Sequence, residues 1–267
     1  MSKNLIYLIV TIVMISVTVQ TVESLTLSPW GGLTYLTMDL VNKDLKARGA
    51  ADPNAVLVKF SSSMVAGLDF GNLRFVYIMP AKASISWTDT TYSPSMALKN
   101  EITTDIAIGE LGFRIPNPSY SIISIGIYVG GGQVTYNEKR SWDDGGTNVG
   151  NVNIPGIAQG PVAEAVLGIK LLGFIEISAA YRYAPFTITV TKAVTADFNG
   201  DGTNEINIAK NAILKDVSGK NLTFDYGGVM ASVGFRFGPS KPKEQTGFQS
   251  FDEFLQKYTI LKTQSAK

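Results

Sequence analysis

The chain has 267 residues with 23 basic and 22 acidic side chains, so its charge is nearly balanced and gives no indication of a nucleic-acid partner. It contains no cysteine and no histidine. These absences exclude a disulfide framework and a thiolate metal site, and they remove the commonest general base and metal ligand.

The N-terminus predicts a secretory signal peptide over residues 1–24. Lys3 supplies a short basic segment, residues 5–19 are apolar, and Val22 and Ser24 suit the small positions before a cleavage site. The alternative is a retained membrane anchor, but the run is short for one and no basic cluster follows it. We therefore expect a mature chain that begins after Ser24 and lies outside the cytoplasm.

Segments in which apolar and polar side chains alternate recur after the signal, and they predict eight β-strands. In residues 174–183 the odd positions are apolar or aromatic and the even positions are small or charged. That length suits a tilted strand across a bilayer, which takes roughly 9–11 residues. The predicted strands are residues 27–39, 60–70, 81–88, 103–115, 120–136, 162–172, 174–190 and 222–237.

The links between these strands alternate in length. Long links are predicted at residues 40–59, 89–102, 137–161 and 191–221, and short ones follow the second, fourth and sixth strands. This pattern is typical of an outer-membrane barrel, which has short periplasmic turns and long external loops. Aromatic residues are predicted to gather at both interfaces. They are Phe113, Phe235 and Phe237 near short links, and Trp87, Tyr181 and Tyr183 near long ones.

Charged residues occupy the faces opposite the apolar ones. If the apolar faces meet lipid, these charges point into the barrel, whose interior has room only for side chains or one small ligand. We expect them to pair there, whereas on a soluble sandwich they would lie on the surface. The predicted lumen charges are Asp69, Lys82, Glu110, Arg114, Glu164, Lys170, Glu176, Arg182 and Arg236.

The last strand, G-V-M-A-S-V-G-F-R-F, alternates and ends on Phe237. With this strand and the pattern over residues 25–237, the chain resembles the small eight-stranded outer-membrane barrels of Gram-negative-type bacteria, which include the OmpA transmembrane domain and OmpW. The resemblance implies an all-β, antiparallel up-and-down transmembrane barrel in outer-membrane lipid, which the barrel-assembly machinery engages through the last strand. In the family that phenylalanine is usually the last residue of the barrel domain, and often of the chain, whereas residues 238–267 follow it here.

Residues 238–267 predict a periplasmic linker and a short C-terminal amphipathic helix. The linker begins G-P-S-K-P-K, and Ser250 with Glu253 forms a capping box. Such a helix would lie on the membrane surface at the base of the barrel or bind a periplasmic partner, and the alternative is a tail that packs on nothing. The residues on its apolar face are Phe251, Phe254, Leu255, Tyr258 and Leu261.

The segment D-F-N-G-D-G-T-N-E, residues 197–205, predicts calcium binding in the last long link. Oxygen ligands at positions 1, 3, 5, 7 and 9, bent around Gly202, suit Ca²⁺. The segment resembles the calcium loops of dockerins and integrin-type propeller repeats, but Ile208 replaces the glutamate at position 12 of an EF-hand. The alternative is an Asx- and Gly-rich turn. The predicted ligands are Asp197, Asn199, Asp201, the Thr203 carbonyl and Glu205.

No enzymatic activity is predicted, because the known outer-membrane barrel enzymes resemble one another in needing a catalytic histidine, which this chain lacks. We expect a porin-like protein that passes or binds small solutes or hydrophobic molecules, as OmpW-like barrels are thought to do. One alternative is a structural or adhesion barrel with a plugged lumen that acts through its long external loops. Another is a soluble periplasmic β-barrel that carries a ligand.

Overall fold

Fifteen elements make up the structure, a computed structural model that describes residues 27–36, 38–115, 121–171 and 174–236. The longer strands show the period-two alternation of exposed and buried side chains that the sequence predicts. In chain order the elements are β1 (Leu27–Tyr35), α1 (Asp39–Arg48), β2 (Val56–Val58), β3 (Ser62–Phe70), β4 (Leu73–Asp89), β5 (Met96–Ile115), β6 (Ile123–Asp143), β7 (Val149–Leu171), β8 (Ile175–Tyr183), β9 (Pro185–Thr187), β10 (Thr189–Val190), β11 (Val194–Ala196), β12 (Ile206–Ile208), β13 (Thr223–Asp225) and β14 (Gly228–Phe235).

Eight of the strands form a closed ring. Its order is β1, β3, β4, β5, β6, β7, β8 and β14, and β14 pairs with β1 to complete it. All eight pairings are antiparallel, and each of the eight predicted strands overlaps one ring strand. The β3–β4 turn at Gly71 and Asn72, where Gly71 has a φ of 60°, marks what we call the lower end of the ring.

The remaining elements lie at the upper end. Strand β2 pairs with the upper part of β4, and β10 pairs with β7. Strands β9 and β13 form one small sheet, and β11 and β12 form another. Helix α1 packs against β4 and β13. In the described part of the chain, the helix is neither long nor apolar enough to cross a membrane.

Two of the predicted long links are wrong. Strands β4 to β7 contain 17, 20, 21 and 23 residues, so they continue through most of the segments predicted as loops at residues 89–102 and 137–161. They end in short turns at residues 90–95 and 144–148. The reason is that the β5–β6 and β6–β7 hydrogen-bonded ladders extend upward to Asp143, where the side-chain pattern no longer has an apolar outer face. The first and last links, at residues 36–61 and 184–227, are long as predicted.

The outward face of the ring is apolar in its lower half. On β6 the exposed positions are Ile123, Ile125, Ile127 and Val129, and the exposed positions above them are polar. Strands β3, β4, β7, β8 and β14 also expose large apolar side chains there. Exposed rings lie toward both borders of this band, which we call the apolar band. They are Phe70, Phe75, Phe113 and Phe235 toward the lower border and Tyr35, Tyr77, Tyr181 and Tyr183 toward the upper one.

The interior of the ring has two layers of different chemistry. In the lower half, inward positions carry arginines and carboxylates beside Trp30 and Tyr128. In the upper half, they carry buried aliphatic side chains, among them Ile78, Ile106 and Val134. Side chains from α1 and β13 join this upper layer, so the upper half is organised like the core of a soluble domain.

Candidate functional site

The lower layer places opposite charges opposite each other in the strand register. Arg74 on β4 has Asp69 on β3 as one register partner and Glu110 on β5 as the other. On β7 and β8, Glu164 pairs with Arg182, and Lys170 pairs with Glu176. Inward side chains of neighbouring strands at the same level are close enough to interact, and the register pairs Arg74–Asp69 and Arg182–Glu164 are ion pairs.

Arg74 lies at the centre of this layer and is completely buried. Its Nε lies 3.2 Å from a carboxylate oxygen of Glu164 and 3.7 Å from one of Asp69. Its guanidinium lies between two rings, 4.5 Å from the centroid of Trp30 and 4.9 Å from that of Tyr128. Two carboxylates and two π-faces therefore offset part of the cost of removing this cation from water, although its three nitrogens form no hydrogen bond within the described residues.

The other arginines extend the network around the ring. Arg182 Nη2 donates to Glu164 at 2.5 Å, and Arg236 Nη2 lies 2.8 Å from Glu176. Arg114 contacts Glu176 and Asp69, the latter at 3.2 Å. Both oxygens of Glu110 are buried and, among the described residues, accept no hydrogen bond. The layer balances four arginines against four carboxylates, which are Asp69, Glu110, Glu164 and Glu176.

Eight of the nine predicted lumen charges lie on the inward face, although Lys170 is only half-buried near the lower rim. The prediction for Lys82 is wrong: its side chain is exposed, and its neighbours Ala81 and Ala83 are the buried ones. The strand register shifts between Ile78 and Ala81, so Met79 and Pro80 both face outward. Above this irregularity the apolar side chains of β4 point inward, which inverts the rule used for the prediction.

The same register shift places Trp87 on the inward-facing side of β4 and not on the outer face that the sequence predicts. It does not belong to the outward aromatic set but is half-buried at the upper end of the ring. Arg74 is a further inward charge that is not among the predicted ones, because the predicted strand begins at residue 81. The alternation of Leu73, Phe75 and Tyr77 around Arg74 and Val76 carried the signal that would have identified it as an inward charge.

A second buried ionic cluster lies above the apolar layer. Glu138 on β6 is completely buried and accepts from Arg48 Nη1 of α1 at 2.5 Å, from Arg140 Nε at 2.7 Å and from the Tyr136 hydroxyl at 2.8 Å. Arg48 also pairs with Asp44 at 2.8 Å, and Asp44 accepts from the backbone N–H of Val217 at 2.8 Å. These contacts join α1 to β6 and to the last long link, across separations that no local motif reveals.

Burial opposes the charged form of Glu138, but the guanidinium groups of Arg48 and Arg140 outweigh it and lower the pKa of the Glu138 carboxyl to about 2. Burial also opposes the charge of Arg48, and the carboxylates of Glu138 and Asp44 outweigh it and raise the pKa of Arg48. Burial, with the adjacent Glu138 carboxylate, raises the pKa of Tyr136 well above its ordinary value. The cluster is therefore ionised and its tyrosine neutral around neutral pH.

Beside this cluster lies a groove of about 370 Å³, which we call the upper groove. It is bordered by the C-terminal end of α1, by β4 to β6 and by parts of the last long link. Its lining combines cationic donors with aromatic and aliphatic side chains and one carboxylate. A neighbouring, wider groove of about 680 Å³ shares Trp87, Leu98 and Ser141 with it. The residues that line the upper groove include Trp87, Leu98, Arg140, Phe198, Lys215 and Asp216.

The predicted calcium loop brings three carboxylates together. Oxygen atoms of Asp197, Asp201 and Glu205 all lie within 4.8 Å of one another. The backbone N–H groups of Gly200 and Gly202 donate to Asp197 at 2.7 and 2.8 Å, and both glycines have positive φ. These are the bends that an oxygen-ligand loop requires, and an Asx turn uses them too.

Neighbouring turns pack around this loop. Asn148 Nδ2 of the β6–β7 turn donates to the carbonyl of Asn199 at 3.1 Å. Burial and the carboxylates of Glu205, Asp89 and Asp201 raise the pKa of Tyr92, which belongs to the β4–β5 turn. The backbone N–H of Thr203 and the side chain of Asn199 lower the pKa of Asp201. Three loops thus meet at the top of the molecule around an acidic centre.

The ring and its charged interior define a class of protein, the small eight-stranded β-barrels. No family model and no curated protein matches the sequence. Among solved structures, the chain is similar to the outer membrane protein OprG from Pseudomonas aeruginosa, with 12% identity, a TM-score of 0.41 and coverage of 80% of this chain and 97% of that one. It is also similar to Ail, the attachment invasion locus protein of Yersinia pestis, solved with the heparin analogue sucrose octasulfate, with 11% identity, the same coverages and a TM-score of 0.32.

Proposed function

We propose that this chain is a non-enzymatic outer-membrane β-barrel whose lumen is closed and whose upper half binds ligands or surfaces outside the cell. The observation that carries the proposal is the inverted polarity of the lower ring: apolar side chains face outward while four arginines and four carboxylates face inward. In water this arrangement would expose the apolar side chains and bury the charges. In a bilayer it is the favoured arrangement, with a band about 25 Å tall against lipid.

The proposed location follows from the same arrangement. A closed ring leaves no unpaired strand edge in the hydrocarbon, which is the condition for a β-structure to cross lipid. The predicted signal peptide over residues 1–24 and the periplasmic linker and amphipathic helix over residues 238–267 lie outside the described residues. They complete a proposal in which the short-turn end faces the periplasm of a Gram-negative-type bacterium and β14 engages the assembly machinery.

A closed lumen is favoured over solute passage. A solute moving along the barrel axis would have to displace Arg74 and Arg182, both at most 1% exposed and both paired with carboxylates. It would then meet the apolar layer, where rings of Phe186 and Tyr226 pack edge to face at 5.8 Å. Displacing a buried ionic network and a packed core costs more than a small solute recovers from weak contacts. Binding at the upper half requires neither step.

Single-channel recording tests this function. The mature chain refolded in detergent should migrate on a gel as a heat-modifiable folded protein. After insertion into planar bilayers, with and without Ca²⁺, it should give no discrete conductance steps. A porin in the same bilayers serves as the positive control. Regular conductance steps would contradict the closed lumen and favour solute passage. Folding in buffer without detergent or lipid would contradict the membrane location and favour a soluble periplasmic barrel.

We also propose that the loop over residues 197–205 binds Ca²⁺ and orders the top of the barrel. The three converging carboxylates support it, and none of them has a Lys or Arg ion pair within the described residues. Tb³⁺ luminescence sensitised by the nearby Tyr92 and Trp142 provides the assay. We expect Tb³⁺ to bind, Ca²⁺ to displace it and Asp201→Asn to weaken its binding, whereas Asp143→Asn at the end of β6 should leave its binding unchanged. Luminescence that Ca²⁺ does not displace would identify the segment as a turn only.

A further inference from the structure

The upper groove contains one cationic donor, Arg140, that is fixed in place before any ligand arrives. Glu138 is completely buried and holds Arg140 by Nε at 2.7 Å. Within the described residues, Nη1 and Nη2 of Arg140 have no protein acceptor, and the side chain is 22% exposed. One edge of this guanidinium is therefore anchored and the other is available to the groove. A fixed guanidinium loses little side-chain entropy when it binds a planar anion.

Lys215 adds a second positive charge to the groove lining. In the described part of the chain it has no ion pair, and its side chain is exposed. The neighbouring Asp216 is the carboxylate of the lining, but its Oδ1 already accepts from the backbone N–H groups of Ser218 and Lys220, both at 2.9 Å. These contacts hold the Asp216 carboxylate in its own turn, and it remains the one negative charge in a lining that also contains Arg48, Arg140 and Lys215.

The lining also contains apolar groups, among them two aromatic side chains. Trp87 and Phe198 are half-buried and pack against the core, and Leu98 is 8% exposed. Phe198 is itself held against Trp142, with ring centroids 4.8 Å apart. A volume of about 370 Å³ is within the range of small-molecule sites, which combine mostly apolar walls with a few oriented polar groups.

We propose that the upper groove binds a small organic carboxylate with a ring-sized apolar body. The carboxylate would accept from Arg140 and Lys215, and the ring would pack against Trp87, Phe198 and Leu98. This proposal rests on the proposed function, since it assigns a ligand class to the upper half of a closed barrel. The groove lies above the apolar band, so its ligand arrives from the external medium and does not pass through lipid.

Fluorine NMR of 4-fluorobenzoate with the refolded protein in lipid nanodiscs tests the proposal. A ligand of about ten heavy atoms at ordinary efficiency predicts a Kd of about 1 mM, which line broadening detects. Two related probes separate the contributions: 4-fluorobenzyl alcohol keeps the ring without the charge, and fluoroacetate keeps the charge without the ring. Both should bind at least about fivefold more weakly, because charge-assisted bonds and ring burial each contribute. Empty nanodiscs correct for partition into lipid.

Two variants and one control assign the binding to this groove. Lys215→Gln and Trp87→Leu should each weaken 4-fluorobenzoate binding by about three- to tenfold, because the first removes a contact to the carboxylate and the second removes a contact to the ring. Lys139→Gln is the matched control, because Lys139 is exposed on the outer face next to Arg140. It removes the same charge without touching the groove, and its Kd should change less than about twofold.

Three outcomes would overturn the proposal. They are no saturable binding to folded protein, equal binding of the alcohol and the acid, or equal effects of the Lys215 and Lys139 substitutions. Failure of the proposed function would look different, because the protein would then not insert into nanodiscs as a heat-modifiable barrel. A well-inserted barrel that does not bind 4-fluorobenzoate would contradict the ligand assignment but not the proposed membrane barrel.

Discussion

Arg74 is the residue on which the lower layer depends most directly, because two carboxylates and two aromatic rings surround it. We predict that Arg74→Met lowers the free energy of unfolding by about 3–5 kcal/mol, since Asp69 and Glu164 would be left buried without their shared cation. Urea unfolding of the refolded protein, followed by the fluorescence of the adjacent Trp30, gives the measurement.

Lys82→Met is the matched control for this change. It lies on the same strand and loses the same charge, but Lys82 is exposed and has no ion pair among the described residues. Its effect should be within about 0.5 kcal/mol. Equal destabilisation by the two substitutions would mean that the buried network is not what stabilises the lower half.

The buried Glu138 carboxylate makes the stability of the upper half depend on pH in the acidic range. Its pKa falls from an ordinary 4.5 to about 2 in the folded state, so it contributes stability that is fully present above pH 4.5. That contribution, on the order of 3 kcal/mol, is lost as the pH falls from about 4.5 through about 2. The ring of Tyr136 packs edge to face against Phe224, with centroids 5.3 Å apart, and we expect the near-ultraviolet circular dichroism of this pair to weaken within that window.

Two substitutions separate this effect from general acid unfolding. Glu138→Gln should weaken the upper half already at neutral pH, because Arg48 and Arg140 lose their buried acceptor, and it should remove the transition. Glu101→Gln is the control: Glu101 forms an exposed pair with Lys99 at 3.0 Å, which is worth less than about 1 kcal/mol. A transition that persists in Glu138→Gln would assign the acid response to other groups.

Strand β3 has a glycine, Gly67, where the Trp30 indole of β1 packs against it. A Cβ atom on Gly67 would lie 2.2 Å from the indole of Trp30, the ring that stacks on Arg74. We predict that Gly67→Ala displaces this indole, lowers the urea midpoint and shifts the Trp30 emission. Gly109→Ala on β5 is the control, because no atom lies within 4 Å of a Cβ there. If both variants unfold alike, the close approach of Trp30 to β3 is not a constraint on the fold.

The sequence was informative about strands that have one apolar and one polar face. Ring strands such as β6 and β14 could be predicted because residues such as Ile125 and Val233 alternate with glycine, serine or charge. The upper parts of β5, β6 and β7 could not, since there an apolar side chain such as Ile154 faces inward and a polar one such as Lys139 faces outward. Both patterns have period two, so alternation alone does not tell which face meets the interior.

In the candidate sites, too, some contacts could be predicted from the sequence and others could not. The pairing of Glu164 with Arg182 could be predicted in kind, because inward charges in a narrow ring must compensate one another. The contact between Arg48 and Glu138 could not, because it joins residues 90 positions apart through packing of α1. The upper groove depends on that packing, so no motif in the sequence indicates it.

For the whole molecule, the two halves of one barrel are solvated in opposite ways. The lower half exposes apolar side chains around a charged interior, and the upper half exposes polar side chains around an apolar interior. The border between them falls where β4 changes register, between Ile78 and Ala81. In the proposed location, one continuous set of strands would thus serve a membrane-embedded unit and a water-exposed unit.

The continuity of β6 and β7 has a mechanical consequence. From Val129, the last large apolar side chain on the outside of β6, to Asp143 the strand covers roughly 45 Å at about 3.4 Å per residue. Because β6 is paired with β5 and β7 up to that tip, this projection is a stiff stalk and not a tethered loop. In the proposed location, macromolecules too bulky to approach the lipid surface would reach the upper end of this stalk, where residues 90–95, 144–148 and 197–205 meet.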